Sequence, residues 1–300
     1  MSVIRVNNIT NRSGSAGPTI AGVGIVSSTS YMVVPTGRTG QRYADEGENI
    51  VRDGLVLYLD AKHSYPSKTG IGTTTSGAVN TSPLSSTDVD VNTWYDMSGN
   101  GNDGELINRV GYGASFGGFL TLDGSNDFIR FTPFIIPNGS FTFESWALIR
   151  ANTSECTLIN QETSSPDTVT LLSGGNIGGV NGLGYRFLVR NSSSSTQLNM
   201  QAIISSHTTN QWHHWVGTYD NQTGTGVVYV DGSQIVTQTQ PSSRNWSLTP
   251  SGTSPRCELG VSSGDRFLNG NIAITRIYNR ALTDAEVSQN FNANRSRFGI

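Results

Sequence analysis

Residues 212–234, WHHWVGTYDNQTGTGVVYVDGSQ, constrain the fold more than any other part of this 300-residue chain. Trp212, Trp215 and Tyr219 make an aromatic-rich run, Asp220 to Gly226 a polar turn, and Val227-Val228-Tyr229-Val230 a β-branched run closed by Asp231-Gly232. Aromatic and β-branched residues suit a pleated, half-buried surface, and Asp-Gly is a hairpin turn signal. The segment predicts two paired strands and a second tight turn. It is a packing signal with no catalytic chemistry in it.

Composition extends this reading to the whole chain. Hydrophobic residues make up 35%, charged residues only 14%, and there are 35 glycines, so the chain is neither disordered by charge nor helical by composition. Many short strands joined by Gly, Ser, Asn and Asp turns predict a sandwich, which can reach this size as one domain. Asp53 to Asp60 reads as its first strand, with Leu55, Leu57 and Leu59 on one face and Val56 and Tyr58 on the other. Apolar residues on both faces suit a strand packed between layers. Residues 64–92, rich in Ser, Thr, Gly and Asn, read as a long surface excursion, and residues 173–184 and 191–197 as hairpin tips. Thr283 to Glu286 is a capping box with Leu282 and Val287 placed as a hydrophobic staple. It predicts one helix, from about Asp284 to Asn292, folded back onto the edge of the sandwich.

Several functions are excluded or left without support. A net charge of −3 with scattered Arg and Lys gives no footprint for nucleic acid. Residues 1–30 lack the apolar core of a signal peptide and any membrane span, so synthesis as a soluble cytoplasmic chain is expected. Cys156 and Cys257 read as two buried or idle thiols, because nothing places the chain in an oxidising compartment, although strands that brought them together would let them pair. His213 and His214 are adjacent on a strand and point to opposite faces, so they cannot share a metal. There is no zinc-ligand spacing, nucleophile elbow or phosphate loop.

Five segments in order resemble the laminin-G-like, concanavalin-A-type jelly roll. They are Tyr95-Asp-Met-Ser-Gly-Asn-Gly-Asn-Asp-Gly104, Leu120-Thr-Leu-Asp-Gly-Ser-Asn-Asp-Phe128, Phe141-Thr-Phe-Glu-Ser-Trp-Ala-Leu148, the 212–234 hairpin, and Phe267 to Leu282. The resemblance implies an all-β sandwich of two antiparallel sheets over residues 51–300, preceded by an extended arm over residues 1–50. Related sandwiches include glycosidases, which need two carboxyl groups facing one sugar. The E-x-D-x-x-E pattern of such glucanases is missing and Glu144 stands alone on its strand, so no enzyme activity is expected. Glu144 is read as a hydrogen-bonded or rim carboxylate.

The resemblance also raises calcium and sugar binding. Asp96, Ser98, Asn100 and Asn102 are similar to the start of a calcium loop, but Ile107 stands where the closing acid belongs, and Ile272-Ala273-Ile274 replaces the family's Ile-Asp-Glu. Calcium stays open beside a loop knitted by Asn and Asp side chains, and no other cofactor is implied. Trp94 and Trp246 lie in loop-like contexts and are the candidate sugar platforms, whereas Trp146, Trp212 and Trp215 read as core.

The N-terminal segment is apolar only in brief pieces and cannot build its own core. Its residues 6–23, VNNITNRSGSAGPTIAGV, followed by Met32-Val33-Val34-Pro35-Thr36-Gly37, and the ending Phe291 to Ile300 resemble virion structural proteins of tailed cyanobacterial phages. That implies a virion location, with attachment to other virion proteins through Val3, Ile4, Val6, Ile9, Ile20, Val23 and Ile25. It also implies a homo-oligomer, a trimer being natural for fibres, and a host-surface glycan as a further partner.

Overall fold

The computed structural model describes residues 49–62, 93–131, 139–150, 155–162, 168–175, 183–190, 197–204, 209–240, 256–262 and 265–300, and the backbone of 19–20, 23–27 and 31–35. Strands β1 (Thr19–Ile20), β2 (Val23–Ser27) and β3 (Tyr31–Pro35) pair as an antiparallel meander, with Ile25 opposite Val33. Twelve residues of the N-terminal segment thus pair among themselves. Runs such as Val23 to Val26 and Met32 to Val34 are short and close in sequence, so they pair with one another. Val3, Ile4, Val6 and Ile9 lie outside the described residues, as does the 64–92 excursion.

The body begins at Asn49. Its first strands are β4 (Leu55–Asp60), β5 (Thr93–Trp94), β6 (Gly104–Ile107), β7 (Gly111–Gly113), β8 (Phe119–Asp123) and β9 (Phe128–Phe131). Then come β10 (Phe141–Ile149), β11 (Glu155–Glu162), β12 (Thr168–Gly175), β13 (Leu183–Arg190) and β14 (Gln197–Ile204). The last are β15 (Trp212–Asp220), β16 (Thr225–Val230), β17 (Ser233–Thr239), β18 (Arg256–Leu259) and β19 (Asn269–Tyr278), and one helix, α1 (Asp284–Phe298), follows. All pairings are antiparallel.

The strands make two sheets of eight. The first runs β17-β16-β15-β10-β19-β8-β7, with β4 also on β19, and the second runs β14-β13-β12-β11-β18-β9-β6-β5. One edge of β19 serves two partners, Asn269–Ile272 pairing with β8 and Ile274–Tyr278 with β4. Leu57, Leu59, Phe141, Phe143, Trp215 and Tyr219 from the first sheet meet Ile129, Phe131, Tyr185, Phe187, Leu198 and Leu259 from the second. This is the inter-sheet core of a jelly-roll sandwich. The 212–234 hairpin fits it closely because two of its residues have no side chain: a Cβ on Gly217 would lie 2.4 Å from Phe187, and one on Gly226 2.3 Å from Leu198.

The helix begins as the capping box predicts: Thr283 accepts from the Glu286 amide and Glu286 accepts from that of Thr283. It ends two turns later than expected, at Phe298, with Gly299 in the left-handed region at φ 77°. It also lies across the outer face of the first sheet, not along its edge. Asn290 and Asn294, one turn apart, share a face with Val287, Phe291 and Phe298 and point at β10, β15 and β19. Phe298 stacks on Trp146 at 4.3 Å between centroids, and Trp212 packs on Phe298 at 4.9 Å.

Under the helix lies a buried polar cluster. Glu144 and Arg276 are cross-strand partners, fully buried and 2.5 Å apart. Glu144 also meets His214 at 3.1 Å and accepts from Asn290 at 2.6 Å, while Arg276 donates to Asn294 at 2.7 Å and lies 4.7 Å over the Tyr58 ring. Burial opposes ionisation of Glu144, but the Arg276 charge, aided by His214, overrides it and holds the carboxyl at about 2. Its ordinary value is 4.5, so the stabilisation is complete above that range and is lost as pH falls toward about 2.

Glu144→Gln should cost about 3–5 kcal/mol at neutral pH, because it strands a buried guanidinium. Urea unfolding at several pH values should find this loss shrinking as pH falls below about 4, where wild-type Glu144 approaches protonation. A loss under about 1 kcal/mol would mean that the cluster is not the clamp described.

Candidate functional site

With one outer face occupied by the helix, the outer face of the second sheet is the other broad surface of the body. Its side chains follow from alternation: when Cys156, Tyr185, Phe187, Leu198, Met200, Cys257, Ile129 and Phe131 point inward, their neighbours point out. Thr157 is opposite Ser173, Ser173 opposite Arg186, and Arg186 opposite Gln201. Four hydrogen-bonding side chains therefore form one row across β11, β12, β13 and β14, spaced by the strand separation of about 4.8 Å; Thr157 and Ser173 are fully buried, and only Arg186 and Gln201 reach the surface.

The row is charge-compensated. Glu155 accepts from the Ser173 hydroxyl at 2.7 Å and pairs with Arg186 at 3.3 Å, with Arg266 further off at 3.7 Å. Arg186 Nε donates to Asn199 Oδ1 at 3.0 Å. Further along the face, Arg130 pairs with the buried Glu258 at 3.2 Å and stacks over Phe128 at 4.9 Å. Both carboxylates are held by guanidinium groups. Where this face reaches the surface, Arg186, Asn199 and Gln201 present donors and acceptors held in place by one another.

The residues singled out in sequence fall elsewhere. Trp94 is not an exposed platform: the two-residue strand β5 turns it fully into the inter-sheet core. Trp246 lies outside the described residues. Ile20, Val23 and Ile25 lie on β1 and β2 of the meander. Trp146, Trp212 and Trp215 are buried, the first two beneath the helix. His213 meets Asp231 on one face at 2.8 Å, and His214 meets Glu144 on the other. Cys156 and Cys257 are buried free thiols; burial pushes the Cys156 thiol up to about 12 and raises that of Cys257 further.

The Asp96–Gly104 loop is knitted by its own polar groups. Asp96 Oδ1 accepts from the Tyr58 and Ser98 amides, and Oδ2 from the Ser98 hydroxyl and Asn102 amide, all within 2.8–2.9 Å. Asn100 and Asn102 donate to the Val56 carbonyl. Each Asp96 oxygen thus has two donors already. Among the described residues, no group of three or more His, Cys, Asp or Glu side chains is gathered for a metal, and no helix is long and apolar enough to cross a membrane.

The polar row was not read from sequence, because each member is a single residue on a different strand. The alternations Tyr185-Arg186-Phe187 and Leu198-Asn199-Met200-Gln201 were its only local signal.

Two antiparallel sheets, one face closed by a helix and the other polar, define a lectin-like β-sandwich. Residues 123–288, more than half of the chain, match the concanavalin A-like lectin/glucanases superfamily, and the chain belongs to it. No curated protein matches it in sequence. Among solved structures, it is similar to the receptor-binding domain of botulinum neurotoxin C/D mosaic serotype, at TM-score 0.56 and 14% identity over 81% of this chain and 52% of that one. The binding domain of Paraclostridial Mosquitocidal Protein 1 gives 0.56 and 17% over 81% and 52%. Domain 4 of AbnA, a GH43 extracellular arabinanase from Geobacillus stearothermophilus solved with arabinotriose, gives 0.54 and 18% over 80% and 98%. The chain spans about half the length of the toxin domains, and at these identities the likeness is one of fold.

Asp96→Asn should destabilise the chain by about 2–4 kcal/mol, since charge-assisted hydrogen bonds to backbone amides are weakened together. Millimolar calcium should leave the wild-type melting temperature unchanged. A calcium-dependent rise that Asp96→Asn abolishes would show the loop to be a metal site.

Proposed function

We propose that this chain is a non-enzymatic glycan-binding protein whose sandwich displays its second sheet to a polysaccharide, and that it is carried on a phage particle through its N-terminal segment. The observation that carries the first half is the group of surface side chains Arg186, Asn199 and Gln201 on neighbouring strands, with the Glu155 carboxylate buttressing Arg186. Planar guanidinium and amide groups fixed by neighbours suit the vicinal hydroxyls of sugars. The relative solved with arabinotriose and the receptor-binding toxin domains support this reading by fold. Hydrolysis is disfavoured because Glu155 and Glu258 are each neutralised by arginine.

The phage half rests on the resemblance of residues 6–23, 32–37 and 291–300 to virion proteins. A virion protein displaying a glycan-binding face suits host adhesion, with the partners of the N-terminal segment being other virion proteins.

A glycan array probed with the full chain should give specific retention, weakened about tenfold or more by Arg186→Ala, and no release of reducing ends from the bound polysaccharide. Absence of any bound sugar would remove the adhesion reading. A chain starting at Asn49 should fail to enter particles; incorporation at the wild-type level would exclude attachment through residues 1–48.

A further inference from the structure

One arginine stands apart from the rest. Among the described residues, Arg130, Arg186, Arg266, Arg276, Arg280 and Arg297 are partly or wholly buried, and each lies against a carboxylate. Arg150, half-buried just after β10, pairs with none. It donates to the Asn271 side-chain oxygen at 2.5 Å and to the Leu122 carbonyl at 3.5 Å. Asp123 stands in register with it through Asn269, but its Oδ1 is turned to the amides of Ser125 and Asn126. Burial with no carboxylate to offset it lowers the pKa of Arg150, so an anion brought to the guanidinium would stabilise its charge. Because arginine only donates, the Asn271 oxygen faces it, and that oxygen also accepts from the Thr121 hydroxyl at 3.1 Å. The Asn271 amide nitrogen then faces away, with no acceptor among the described residues. Together these side chains hold unspent donors and no negative charge.

Aromatic rings lie on the same face. Asn271 is opposite Thr121 on β8 and Leu148 on β10, and Leu148 is opposite Trp212 on β15, so one row crosses the outer face of the first sheet beside the last turn of the helix. Gly111, opposite Thr121 on β7, adds no side chain and leaves that end of the row low. Phe119, two residues before Thr121 on the same face of β8, packs edge-on to Trp212 at 5.6 Å. Phe116 packs on Trp212 at 5.8 Å and is 44% exposed, although a φ of 52° puts it in the left-handed region. A strained backbone that holds a ring in solvent is the kind of outlier that marks a ligand surface.

We infer that this corner of the first sheet is a second ligand site, which takes an acidic saccharide with its carboxylate on Arg150 and the Asn271 amide nitrogen and the apolar face of a sugar ring on Phe116 and Phe119. The two oxygens of a carboxylate can accept from both donor groups at once. That the carboxylate is carried by a saccharide rests on the glycan-binding reading above, whereas the anion site itself does not, and it lies on the opposite sheet from Arg186.

Calorimetric titration of the full chain with trigalacturonate should show binding that weakens as salt rises and is about tenfold or more tighter than that of the trisaccharide's neutral methyl ester. Asn271→Asp keeps an oxygen toward Arg150 and Thr121, puts a second, charged oxygen where the donor was, and gives Arg150 its missing carboxylate. It should weaken trigalacturonate about tenfold or more while the unliganded melting temperature stays the same or rises. Phe116→Gly relieves the backbone and removes the ring, so it should weaken binding severalfold without loss of stability. Arg186→Ala should leave trigalacturonate binding unchanged, which separates this site from the second sheet. A wild type that does not bind trigalacturonate, or binds the ester equally well, overturns the inference, as does an Asn271→Asp protein that folds and binds like the wild type. Loss of binding in Arg186→Ala also overturns it by moving the uronate to the other sheet, and a triglutamate peptide that binds as tightly overturns the assignment to a saccharide.

Discussion

The buried contact between Glu144 and Arg276 is the constraint on which the arrangement of the first sheet depends. Taking two charges out of water costs several kcal/mol each, and their attraction offsets this only when the remaining donors and acceptors are also satisfied. Here neighbours supply partners to both charges, while His214 Nδ1 has no hydrogen-bond partner among the described residues. Glu144 has His214 and Asn290, and Arg276 has Asn294 and the face of Tyr58. These groups come from β10, β15, β19, β4 and α1, so the cluster is satisfied only when all five are in register. A one-residue slip of β10 on β19 would turn Glu144 into the apolar inter-sheet core. The cluster acts as a registry device more than as a source of net stability.

The helix is held by the same cluster, with consequences for the opposite side of the molecule. Asn290 joins the Val51 amide, the Tyr278 hydroxyl and Glu144, tying the entry to the sandwich to its last strand. Phe291 and Phe298 then cover Trp146, which would otherwise leave an indole on an open sheet. The part of the first sheet's outer face beneath the helix is thereby spent on stability. The proposed recognition role is placed for that reason on the second sheet, whose exposed outer side chains are amides and paired charges.

What could be read in the sequence was local. The 212–234 hairpin, the capping box at Thr283 and the Asx-rich loop at Asp96 each carry their signal within a few residues, and each forms as read. Long-range partnerships were not legible. Glu144 and Arg276 are 132 residues apart, and nothing near either one names the other. The same holds for Thr157, Ser173, Arg186 and Gln201, which meet only because four strands pair in one register. Trp94 was misread for a related reason: a strand of two residues shows no alternation, so its inward direction depends on pairing with β6. The helix ran past Asn292 because Asn294 and Phe298, polar or terminal in sequence, find partners only on the sheet below.

The pairing of charges on the second sheet bears on what kind of ligand such a face can hold. A free arginine would attract any polyanion and lose it with salt. Arg186 against Glu155 and Arg130 against Glu258 carry no net charge per pair, so their long-range fields largely cancel while their hydrogen-bonding geometry remains. The carboxylate holds the guanidinium plane in place, which lowers the entropy lost when a ligand is bound. Under the proposed glycan-binding role, pairs of this kind suit uncharged polyhydroxylated ligands and make their binding only weakly dependent on salt.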